Sequence, residues 1–305
     1  MKNVAIVGAN GFIGSNLTKY LALHGYHVIA MVDPRFDYGS LLSLPDVICI
    51  EFSLEHLEVI YEDVRFDNID FLYHLAWVGV NAKYRNDSVA QLQNIPYGMK
   101  VLDFCDVHHI KRVLVPGSAA ELSCGGSIIS GKECPAPSDM YSATKVAVRY
   151  ICQTYAKQKN IDLIWPLITS IYGPGRDDNN LISYAIKTLL RGEKPSFTGL
   201  EQEWDYLYID DLMVALEALG NRGIGGKVYP VASGVHCQMR AYVERIRDVI
   251  DPALPLGIGD LPYKNPEKID NQVFDISELV DDTGFSPKVL FEEGIMNTID
   301  YFKTL

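Results

Sequence analysis

The sequence begins with an apolar strand pattern, a glycine-rich turn and a helix pattern in direct succession. Val4–Gly8 is a β-branched run typical of a buried strand, and Phe12–Gly25 has the apolar spacing of a helix that ends at a glycine. In the turn, Gly8 allows a tight reversal, Gly11 lets the backbone approach a ligand, and Gly14 lets helix and strand pack closely. The first N–H groups of such a helix bind phosphates, so the segment predicts a dinucleotide site.

The alternation of strands and helices continues through the first half of the chain. Strand patterns recur at His27–Val32, Val47–Ile50, Phe71–Ala76, Arg112–Gly117 and Ile161–Ile168, and helical patterns lie between them, notably at Ser88–Val107 and Tyr141–Gln158. Near-continuous apolar strands separated by helices predict a parallel sheet with helices on both faces. We therefore expect an α/β fold of the Rossmann type, a doubly wound parallel sheet, with residues 1–168 as the dinucleotide-binding domain.

After Thr169 the pattern becomes less regular and richer in glycine, proline and asparagine. We expect a smaller substrate-binding lobe formed by residues 169–202 and 236–305, with residues 203–235 returning to the first domain. Residues 289–305 have the amphipathic pattern of a C-terminal helix. Because open α/β sheets bind ligands at the carboxyl ends of their strands, we expect the lobe to cover that edge.

The charge of the chain excludes some classes of partner. With 27 Lys and Arg residues against 39 Asp and Glu residues, the formal net charge is −12, and no basic run stands out. We therefore expect no nucleic acid and no anionic membrane as a main partner, and a small-molecule substrate instead. No apolar run approaches the roughly 18 residues that a transmembrane helix needs.

The cysteines also carry information about the setting of the protein. The 6 cysteines are scattered without a C-x-x-C pair, which favours reduced thiols, although a disulfide between Cys124 and Cys134 stays open. The apolar stretch at the start is too short for the core of a signal peptide, so we expect a cytoplasmic protein. No residues have metal-ligand spacing, and no metal is expected.

Tyr141 and Lys145 stand four residues apart near the start of a predicted helix and so share one face of it. A nearby ammonium favours the phenolate form of a tyrosine, which suits Tyr141 to acid–base chemistry near neutral pH. Ser118 follows a predicted strand whose carboxyl end faces the same cleft as the glycine turn. We expect its hydroxyl to bind the oxygen that Tyr141 protonates or deprotonates.

The order of the glycine turn, Ser118 and a Tyr-x-x-x-Lys pair resembles the short-chain dehydrogenase/reductase superfamily. Further motifs are similar to its extended branch, which holds nucleotide-sugar epimerases, dehydratases and ketoreductases. These motifs are His74–Trp77 beside the cofactor, Asn94 in a helix, Ile171–Gly175 in a substrate loop, and Trp204–Leu212, similar to an Arg-Asp-aromatic-x-Tyr-x-Asp-Asp segment. The resemblance covers essentially the whole chain.

By this resemblance, Ser118, Tyr141 and Lys145 are the catalytic residues, and Lys145 also holds the nicotinamide ribose. The resemblance implies cofactor contacts from Gly8, Asn10, Gly11, Phe12, Ile13, Gly14, Asp33, Arg35, Leu75, Ala76, Asn94, Tyr141 and Lys145. It implies substrate contacts from Ser118, Ala119, Ser170, Tyr172, Arg176 and Trp204. It also implies a homodimer formed through the helices at Ser88–Val107 and Tyr141–Gln158.

Three positions depart from the pattern of the branch. Ser118 is followed by Ala-Ala-Glu, where the dehydratases carry an Asp-Glu pair, so a 4,6-dehydratase is not expected. Trp204 stands where the branch has an arginine on the diphosphate, and Ser170 stands where it has an asparagine. Contact with a phosphate then falls to Arg176, Lys194 or backbone amides.

The cofactor preference depends on Asp33 and Arg35. Asp33 follows the second strand, where an acidic side chain binds the adenosine ribose hydroxyls and repels a 2′-phosphate. It lies one residue later than in typical NAD-dependent epimerases, and Arg35 is close enough in sequence to bind a phosphate. NAD is favoured over NADP, but both stay open.

The resemblance implies hydride and proton transfer at C4 of a nucleotide-diphosphate sugar. The Gly117–Glu121 stretch is more similar to that of 4-ketoreductases, so a 4-ketoreductase is the first hypothesis, and a 4-epimerase that retains its NAD is the second. A reductase of a non-sugar carbonyl and a non-catalytic dinucleotide sensor are the remaining alternatives.

Two further features have simple structural interpretations. We expect His74 to be satisfied by neighbouring backbone groups at the end of its strand. Asp210 and Asp211 are interpreted as an N-cap and first-turn acidic pair for a helix at Leu212–Leu219, rather than as metal ligands.

Overall fold

The computed structural model of the protein describes residues 1–122, 137, 139–176, 178, 180–262 and 274–305. The strands are β1 (Asn3–Val7), β2 (His27–Val32), β3 (Val47–Glu51), β4 (Phe71–His74), β5 (Arg112–Leu114), β6 (Gly117–Ser118), β7 (Asp162–Ile168), β8 (Ser170–Tyr172), β9 (Ser196–Phe197), β10 (Glu203–Trp204), β11 (Tyr206–Tyr208), β12 (Val228–Val231), β13 (Cys237–Gln238) and β14 (Gly257–Ile258). The helices are α1 (Phe12–Leu23), α2 (Ser88–Leu92), α3 (Asn94–Val107), α4 (Met140–Gln158), α5 (Leu181–Leu190), α6 (Ile209–Arg222), α7 (Met239–Ile250), α8 (Ser277–Thr283) and α9 (Phe291–Lys303).

A parallel sheet runs through the centre in the order β12-β7-β5-β4-β1-β2-β3, and β6 pairs with the end of β7. The chain builds outward from β1 to β3 on one side and then from β4 to β12 on the other. The carboxyl ends of β1 and β4 therefore flank the point where the winding changes direction, which is where open α/β sheets bind ligands. The predicted Rossmann-type α/β fold is confirmed.

The strands of this sheet are apolar because helices cover both of their faces. Alternate residues of β1 point to opposite sides: Val4 and Ile6 join the core beneath α1 and α6, while Ala5 and Val7 join the core beneath α3 and α4. All four side chains are fully buried. This two-sided burial is the physical reason for the continuous apolar runs in the sequence.

Two predicted strands are shorter than expected. The pattern at Phe71–Ala76 ends as a strand at His74, because the backbone N–H groups of Leu75 and Ala76 both turn to the carbonyl of Val7, at 2.9 and 3.0 Å. The pattern at Arg112–Gly117 divides into β5 and β6 around Pro116, which has no N–H group to donate to a neighbouring strand.

The predicted helix at Ser88–Val107 is interrupted at Gln93 and forms α2 and α3. Pro96 accounts for the interruption, because a proline lacks the N–H group that would bond the carbonyl of Leu92. The predicted helix at Tyr141–Gln158 is confirmed as α4, which begins one residue earlier. The C-terminal helix is also confirmed and forms α9.

The second half of the chain adds small sheets to the large one. β8 pairs with β11, β9 with β14, and β10 with β13. From the segment that we expected to return to the first domain, β12 lies at the edge of the central sheet. The division of the chain into the two domains stays a prediction.

The described residues contain free thiols at Cys49, Cys105, Cys152 and Cys237. Cys124 and Cys134, for which a disulfide stayed open, lie outside the described residues.

No helix in the described part combines the length and apolar composition that crossing a membrane requires. The same residues hold no group of three or more His, Cys, Asp or Glu side chains arranged to bind a metal ion.

Candidate active site

The glycine turn lies at the carboxyl end of β1 and opens α1. Gly8 has a φ of 85°, in the region that favours glycine. A Cβ atom on Gly14 would lie 2.1 Å from the carbonyl oxygen of Gly8, so only a glycine fits there. A Cβ atom on Gly11 would meet only that same oxygen, at 3.5 Å, among the described residues. The N-terminus of α1 therefore has open space and no side-chain cap, a geometry that fits a pyrophosphate.

Asn10 ties this turn to the loop after β2. Its amide nitrogen donates to the carbonyls of Asp33 and Phe36 at 2.9 and 3.2 Å, and its amide oxygen accepts from the N–H of Asp33 at 3.2 Å. The predicted cofactor residue Asn10 thus uses its polar atoms to hold the loop that carries Asp33 and Arg35.

Asp33 and Arg35 form a two-point ion pair with each other. Arg35 donates through Nε and Nη2 to the Asp33 carboxylate at 2.9 and 2.6 Å. This hydrogen bonding holds the pKa of Asp33 below its ordinary value, so the carboxylate is charged at neutral pH. The guanidinium is mostly exposed, at 78% of its side chain, and can swing away from the carboxylate.

The loop after β4 lies against the glycine turn. A Cβ atom on Gly8 would lie 2.8 Å from the backbone nitrogen of Ala76, so Leu75 and Ala76 form one wall of the predicted cofactor site. Asn94 supports this loop: its side chain accepts from the N–H of Val78 at 2.8 Å and donates to the carbonyl of Val78 at 3.0 Å. Asn94 is buried, and its amide is committed to backbone groups.

The side chains of Ser118 and Tyr141 lie close enough for hydrogen bonding by Ser118 to act on the pKa of the phenol. Ser118 ends β6, and Tyr141 lies in the first turn of α4. Asp139 caps that helix in a capping box, accepting from the N–H of Ser142 at 2.8 Å. The cap fixes the helix start, and with it the position of the phenol against the strand end.

Burial raises the pKa of Tyr141, while the hydrogen bond from Ser118 and the charge of Arg85 act in the opposite direction. The phenol therefore keeps its proton near neutral pH. The Lys145 ammonium is itself strongly buried and lies 5.9 Å from the centre of the Tyr141 ring, and the expectation that it favours the phenolate stays a prediction.

Lys145 lies one turn further along α4, beneath the phenol. Its ammonium donates to the carbonyl of Pro116 at 2.9 Å and lies 3.6 Å from the centre of the Trp77 ring. Burial lowers the pKa of Lys145 to about 7, and the charge of Glu121 opposes this shift. The predicted trio of Ser118, Tyr141 and Lys145 thus converges at one end of the sheet.

Trp77, Arg85, Glu121 and Arg149 also surround this centre, and of these four only Trp77 was expected nearby, as part of the His74–Trp77 motif. Trp77 packs edge-on against Tyr141 with ring centres 6.0 Å apart, and the guanidinium carbon of Arg85 lies 4.5 Å from the centre of the Tyr141 ring. Glu121 and Arg149 form a buried pair below Ser118. For Arg85 and Glu121 no local pattern indicates a place at this centre, and for Arg149 the available signal is its spacing of four residues from Lys145.

His74 does not have the backbone partner that we expected. It is buried at the end of β4, and its Nδ1 has no hydrogen-bond partner among the described residues. Burial and the nearby Lys145 lower the pKa of His74 to about 3, so the imidazole is neutral. His74 therefore contributes no positive charge next to Lys145.

Three of the predicted substrate residues lie in different settings. Tyr172 is only 2% exposed, and its ring packs against Tyr208 and Phe291 in the core. This position does not fit a direct substrate contact, and it arises because α9 covers β8. Ser170, two residues earlier on β8, is partly exposed, and Ala119 is buried directly after Ser118.

The basic residues that we expected near a phosphate are paired with carboxylates. Arg176 donates through Nε and Nη2 to Asp178 at 3.0 and 2.9 Å, and its guanidinium lies 5.8 Å from the centre of the Phe12 ring, beside the glycine turn. Lys194 pairs with Asp260 at 2.8 Å. Each would have to exchange its partner in order to bind a phosphate.

Trp204 lies in β10 and packs against Phe274 with ring centres 5.8 Å apart. Its indole Nε1 is shielded from solvent and has no partner among the described residues. A buried donor without a partner is costly in a folded protein, so this atom is suited to a ligand acceptor.

Asp210 and Asp211 lie in the first turn of α6, as expected, but neither is its N-cap, which is Tyr208. Instead, the Asp211 carboxylate accepts from the N–H groups of Lys288 and Val289 at about 3 Å, tying the segment before α9 to α6.

The fold is similar to that of solved nucleotide-sugar enzymes. A UDP-N-acetylglucosamine 4-epimerase from Methanobrevibacter ruminantium M1 aligns with a TM-score of 0.86 and 23% identity, covering 99% of this chain and 98% of that one. A UDP-glucuronic acid 4-epimerase from Bacillus cereus, solved with NAD, aligns with a TM-score of 0.84 and 21% identity over 99% of both chains. At these identities the likeness establishes the fold.

Among curated proteins, a trifunctional UDP-glucose 4,6-dehydratase/UDP-4-keto-6-deoxy-D-glucose 3,5-epimerase/UDP-4-keto-L-rhamnose-reductase from Arabidopsis thaliana is 26% identical over 326 aligned residues. The alignment covers 99% of this chain and 47% of that protein, so the chain spans about half of its length. The model of the NAD dependent epimerase/dehydratase family matches residues 4–232, from β1 through β12. The match takes in the whole central sheet and its catalytic edge, and the chain therefore belongs to this family of enzymes.

Proposed function

We propose that this protein is a 4-ketoreductase of a nucleotide-diphosphate sugar, which reduces a carbonyl at C4 to an alcohol. The observation that carries the proposal is the convergence of Ser118 at the end of β6 with Tyr141 and Lys145 on α4, where both of these side chains contact Trp77 from the loop beside the glycine turn. Reduction needs a proton donor at the carbonyl oxygen, and a phenol that holds its proton at neutral pH can supply one.

The residues around the glycine turn fit a nicotinamide dinucleotide. The open N-terminus of α1 at Gly11 would hold the pyrophosphate, Asp33 the adenosine ribose, and Lys145 the nicotinamide ribose. When bound, the reduced dinucleotide supplies the hydride that reaches the C4 carbon.

The chain's own residues act on the oxygen of the substrate. Ser118 donates a hydrogen bond to the C4 oxygen and orients it, and Tyr141 transfers its phenolic proton to that oxygen. The buried Lys145 below stabilises the phenolate that this transfer leaves behind. Trp77 and the loop after β4 keep water from this centre.

A 4-epimerase is the second candidate. The two solved relatives described above are 4-epimerases, and the same Ser118 and Tyr141 pair serves both reactions. In an epimerase the phenolate form of Tyr141 would first accept the proton of the C4 hydroxyl, and the resulting phenol would later return it, with the dinucleotide retained throughout.

The test is to incubate the purified protein with 4-keto-6-deoxy nucleotide sugars and NADH or NADPH. A ketoreductase consumes one reduced cofactor for each sugar converted, and an epimerase interconverts two sugars without net consumption. Tyr141→Phe should lower kcat by roughly 10²–10⁴-fold. Tyr155→Phe is the matched control, because it removes a phenol on the same helix that binds Asp103 instead. Equal activity of the wild type and Tyr141→Phe would contradict catalysis by Tyr141 and favour a sensor.

The substrate class can be screened by ligand-induced stabilisation. UDP-, dTDP-, GDP- and CDP-sugars that bind the native state raise the melting temperature. The unpartnered indole nitrogen of Trp204 supports a substrate with an acceptor at that point. A shift with none of these nucleotides would instead favour a reductase of non-sugar carbonyls.

We also propose a homodimer formed through the helices α2, α3 and α4. Their exposed apolar side chains support this arrangement, and they include Val89, Leu92, Val107 and Tyr150. Light scattering coupled to gel filtration gives the mass in solution, and a monomer at all concentrations would contradict the proposal.

The free thiols of the described residues support a reducing, cytoplasmic location.

A further inference from the structure

A buried ion pair lies below the catalytic residues and takes no part in the chemistry proposed above. Glu121 follows Ser118 by three residues and is fully buried, and Arg149 is 5% exposed. One carboxylate oxygen of Glu121 lies 3.4 Å from Nε of Arg149. Burying two charges costs several kcal/mol per ion before their attraction is counted, so such a pair is weak evidence for stability and invites a functional explanation.

The other carboxylate oxygen of Glu121 organises the backbone at Ser118. It accepts from the N–H of Ser118 at 3.0 Å and from the indole of Trp165 at 3.1 Å. A Cβ atom on Gly117 would lie 2.4 Å from this oxygen and 2.0 Å from the indole nitrogen. The glycine before Ser118 thus makes the room that lets the carboxylate reach the strand end.

The same carboxylate lies near the catalytic ammonium, because Lys145 donates to the carbonyl of Pro116 and Glu121 accepts from the N–H of Ser118, two residues further along. Lys145 and Arg149, the ion-pair partner of Glu121, are four residues apart on one face of α4. The charge of Glu121 raises the pKa of Lys145, against the larger effect of burial. Burial raises the pKa of Glu121, and the charges of Arg149 and, to a smaller extent, Lys145 oppose this shift.

We propose that Glu121 is a positioning residue of the catalytic centre, whose buried carboxylate fixes the strand end at Ser118 and places a negative charge near Lys145. This inference rests on the proposed function for its meaning in catalysis. Arg149 partly neutralises the carboxylate of Glu121 and so limits how strongly that charge acts on the pKa of Lys145.

Among the described groups around Lys145, Glu121 is the source of the negative charge that acts on the ammonium. His74, from β4, is neutral because burial lowers its pKa to about 3. Tyr141 holds its proton, and Arg85 and Asp139 at the mouth of the site pair with each other at 2.7 Å. In the described residues, the charged groups that face Lys145 most directly are therefore Glu121 and, behind it, Arg149.

The test follows the titration of Lys145 in the ligand-free protein by NMR of lysine labelled with ¹³C and ¹⁵N, with Lys145→Arg identifying the signal. Glu121→Gln keeps the shape and removes the charge, and it should lower the pKa of Lys145 by roughly one unit. Arg149→Met should move this pKa in the opposite direction, because it leaves the carboxylate uncompensated. Shifts of opposite sign in the two variants indicate electrostatic control, because a general loosening of the site would move the pKa of Lys145 in the same direction in both.

Glu193→Gln is the matched control, since Glu193 pairs with Arg191 on the surface and its loss changes the net charge by the same amount. If Glu121→Gln fails to fold, the direction in which Arg149→Met moves the pKa of Lys145 still tests the proposal. An unchanged Lys145 titration in Glu121→Gln and Arg149→Met would overturn the proposal.

The enzyme assay separates this inference from the proposed function. With a nucleotide sugar that the enzyme converts, Glu121→Gln should lower kcat more than it raises KM. As the pH rises, the variant should lose activity at a lower pH than the wild type does. A shifted Lys145 titration without turnover of any nucleotide sugar would contradict the proposed function alone. Normal turnover with an unmoved titration would contradict only the role of Glu121.

Discussion

The guanidinium carbon of Arg85 lies 4.5 Å from the centre of the Tyr141 ring. Arg85 also donates to Asp139, the N-cap of α4, at 2.7 Å, and its backbone carbonyl accepts from the N–H of Tyr141 at 2.8 Å. The segment between β4 and α2 is thereby fastened to the helix start that carries the phenol. The described part of the chain thus has two cations near Tyr141, Arg85 beside the ring and Lys145 below it.

The first prediction concerns the charge of Arg85. Its field lowers the pKa of Tyr141, so Arg85→Gln should raise that pKa and weaken the phenol as a proton donor. We expect kcat to fall by roughly tenfold, which corresponds to about one pKa unit. The pH profile of kcat should move to higher pH, and Arg85→Lys, which keeps the charge, should restore much of the activity. A profile that is the same in Arg85→Gln and the wild type would contradict this role.

The second prediction separates two glycines of the same turn. Gly14→Ala places a methyl group against the carbonyl of Gly8 and should cost about 1–3 kcal/mol of the free energy of unfolding. Gly11→Ala has room in the protein and should cost no more than about 1 kcal/mol, but its methyl group points at the pyrophosphate site. Chemical denaturation and calorimetric titration with NAD test both effects. A Gly11→Ala variant that binds NAD as the wild type does would place the pyrophosphate elsewhere.

The third prediction concerns the choice between NAD and NADP. Asp33 is ionised and repels a 2′-phosphate, whereas Arg35 attracts one. Arg35→Ala should therefore raise the ratio of NAD affinity to NADP affinity, and Asp33→Asn should lower it, each by roughly tenfold. Dissociation constants of both cofactors for both variants check the signs. A shift in the same direction for the two variants would mean that neither side chain faces the adenosine ribose.

The fourth prediction uses the buried carboxyl of Asp205. Burial raises its pKa to about 6, even though it accepts from the N–H and the hydroxyl of Ser233 at 2.8 and 2.9 Å. The folded protein therefore holds this proton more tightly than the unfolded chain does. The resulting stability is present below the ordinary pKa of an aspartate and is lost as the pH rises through about 6.

The size of this effect is about 2–3 kcal/mol if the shift is about two pKa units. Urea denaturation of the wild type and Asp205→Asn between pH 4 and 7 measures it, because the asparagine variant lacks the titration. The stability of the wild type should fall relative to that of the variant as the pH rises. A difference that stays constant with pH would contradict the raised pKa.

Local patterns predicted much of the fold because strands buried on both faces and amphipathic helices have distinct apolar spacings. The strand at His27–Val32 was predicted to the residue, and the parallel α/β sheet followed from the alternation. The errors lie at prolines and turns. Pro96 interrupts the helix expected at Ser88–Val107, and Pro116 divides the strand expected at Arg112–Gly117. Asp211, expected to help cap α6, binds the backbone before α9, a partner almost eighty residues away.

The sequence by itself determined the glycine turn, the Tyr-x-x-x-Lys helix and the sheet that holds them, because each depends on residues near one another in the chain. Only the tertiary structure decided which groups surround the catalytic centre. Trp77 and Arg85 reach it from the segment between β4 and α2, and Glu121 reaches it from the segment after β6. Tyr172 is withdrawn from it because α9 packs over β8. Charges and burial act through space, so the pKa values of Tyr141 and Lys145 depend on neighbours that no local pattern reveals.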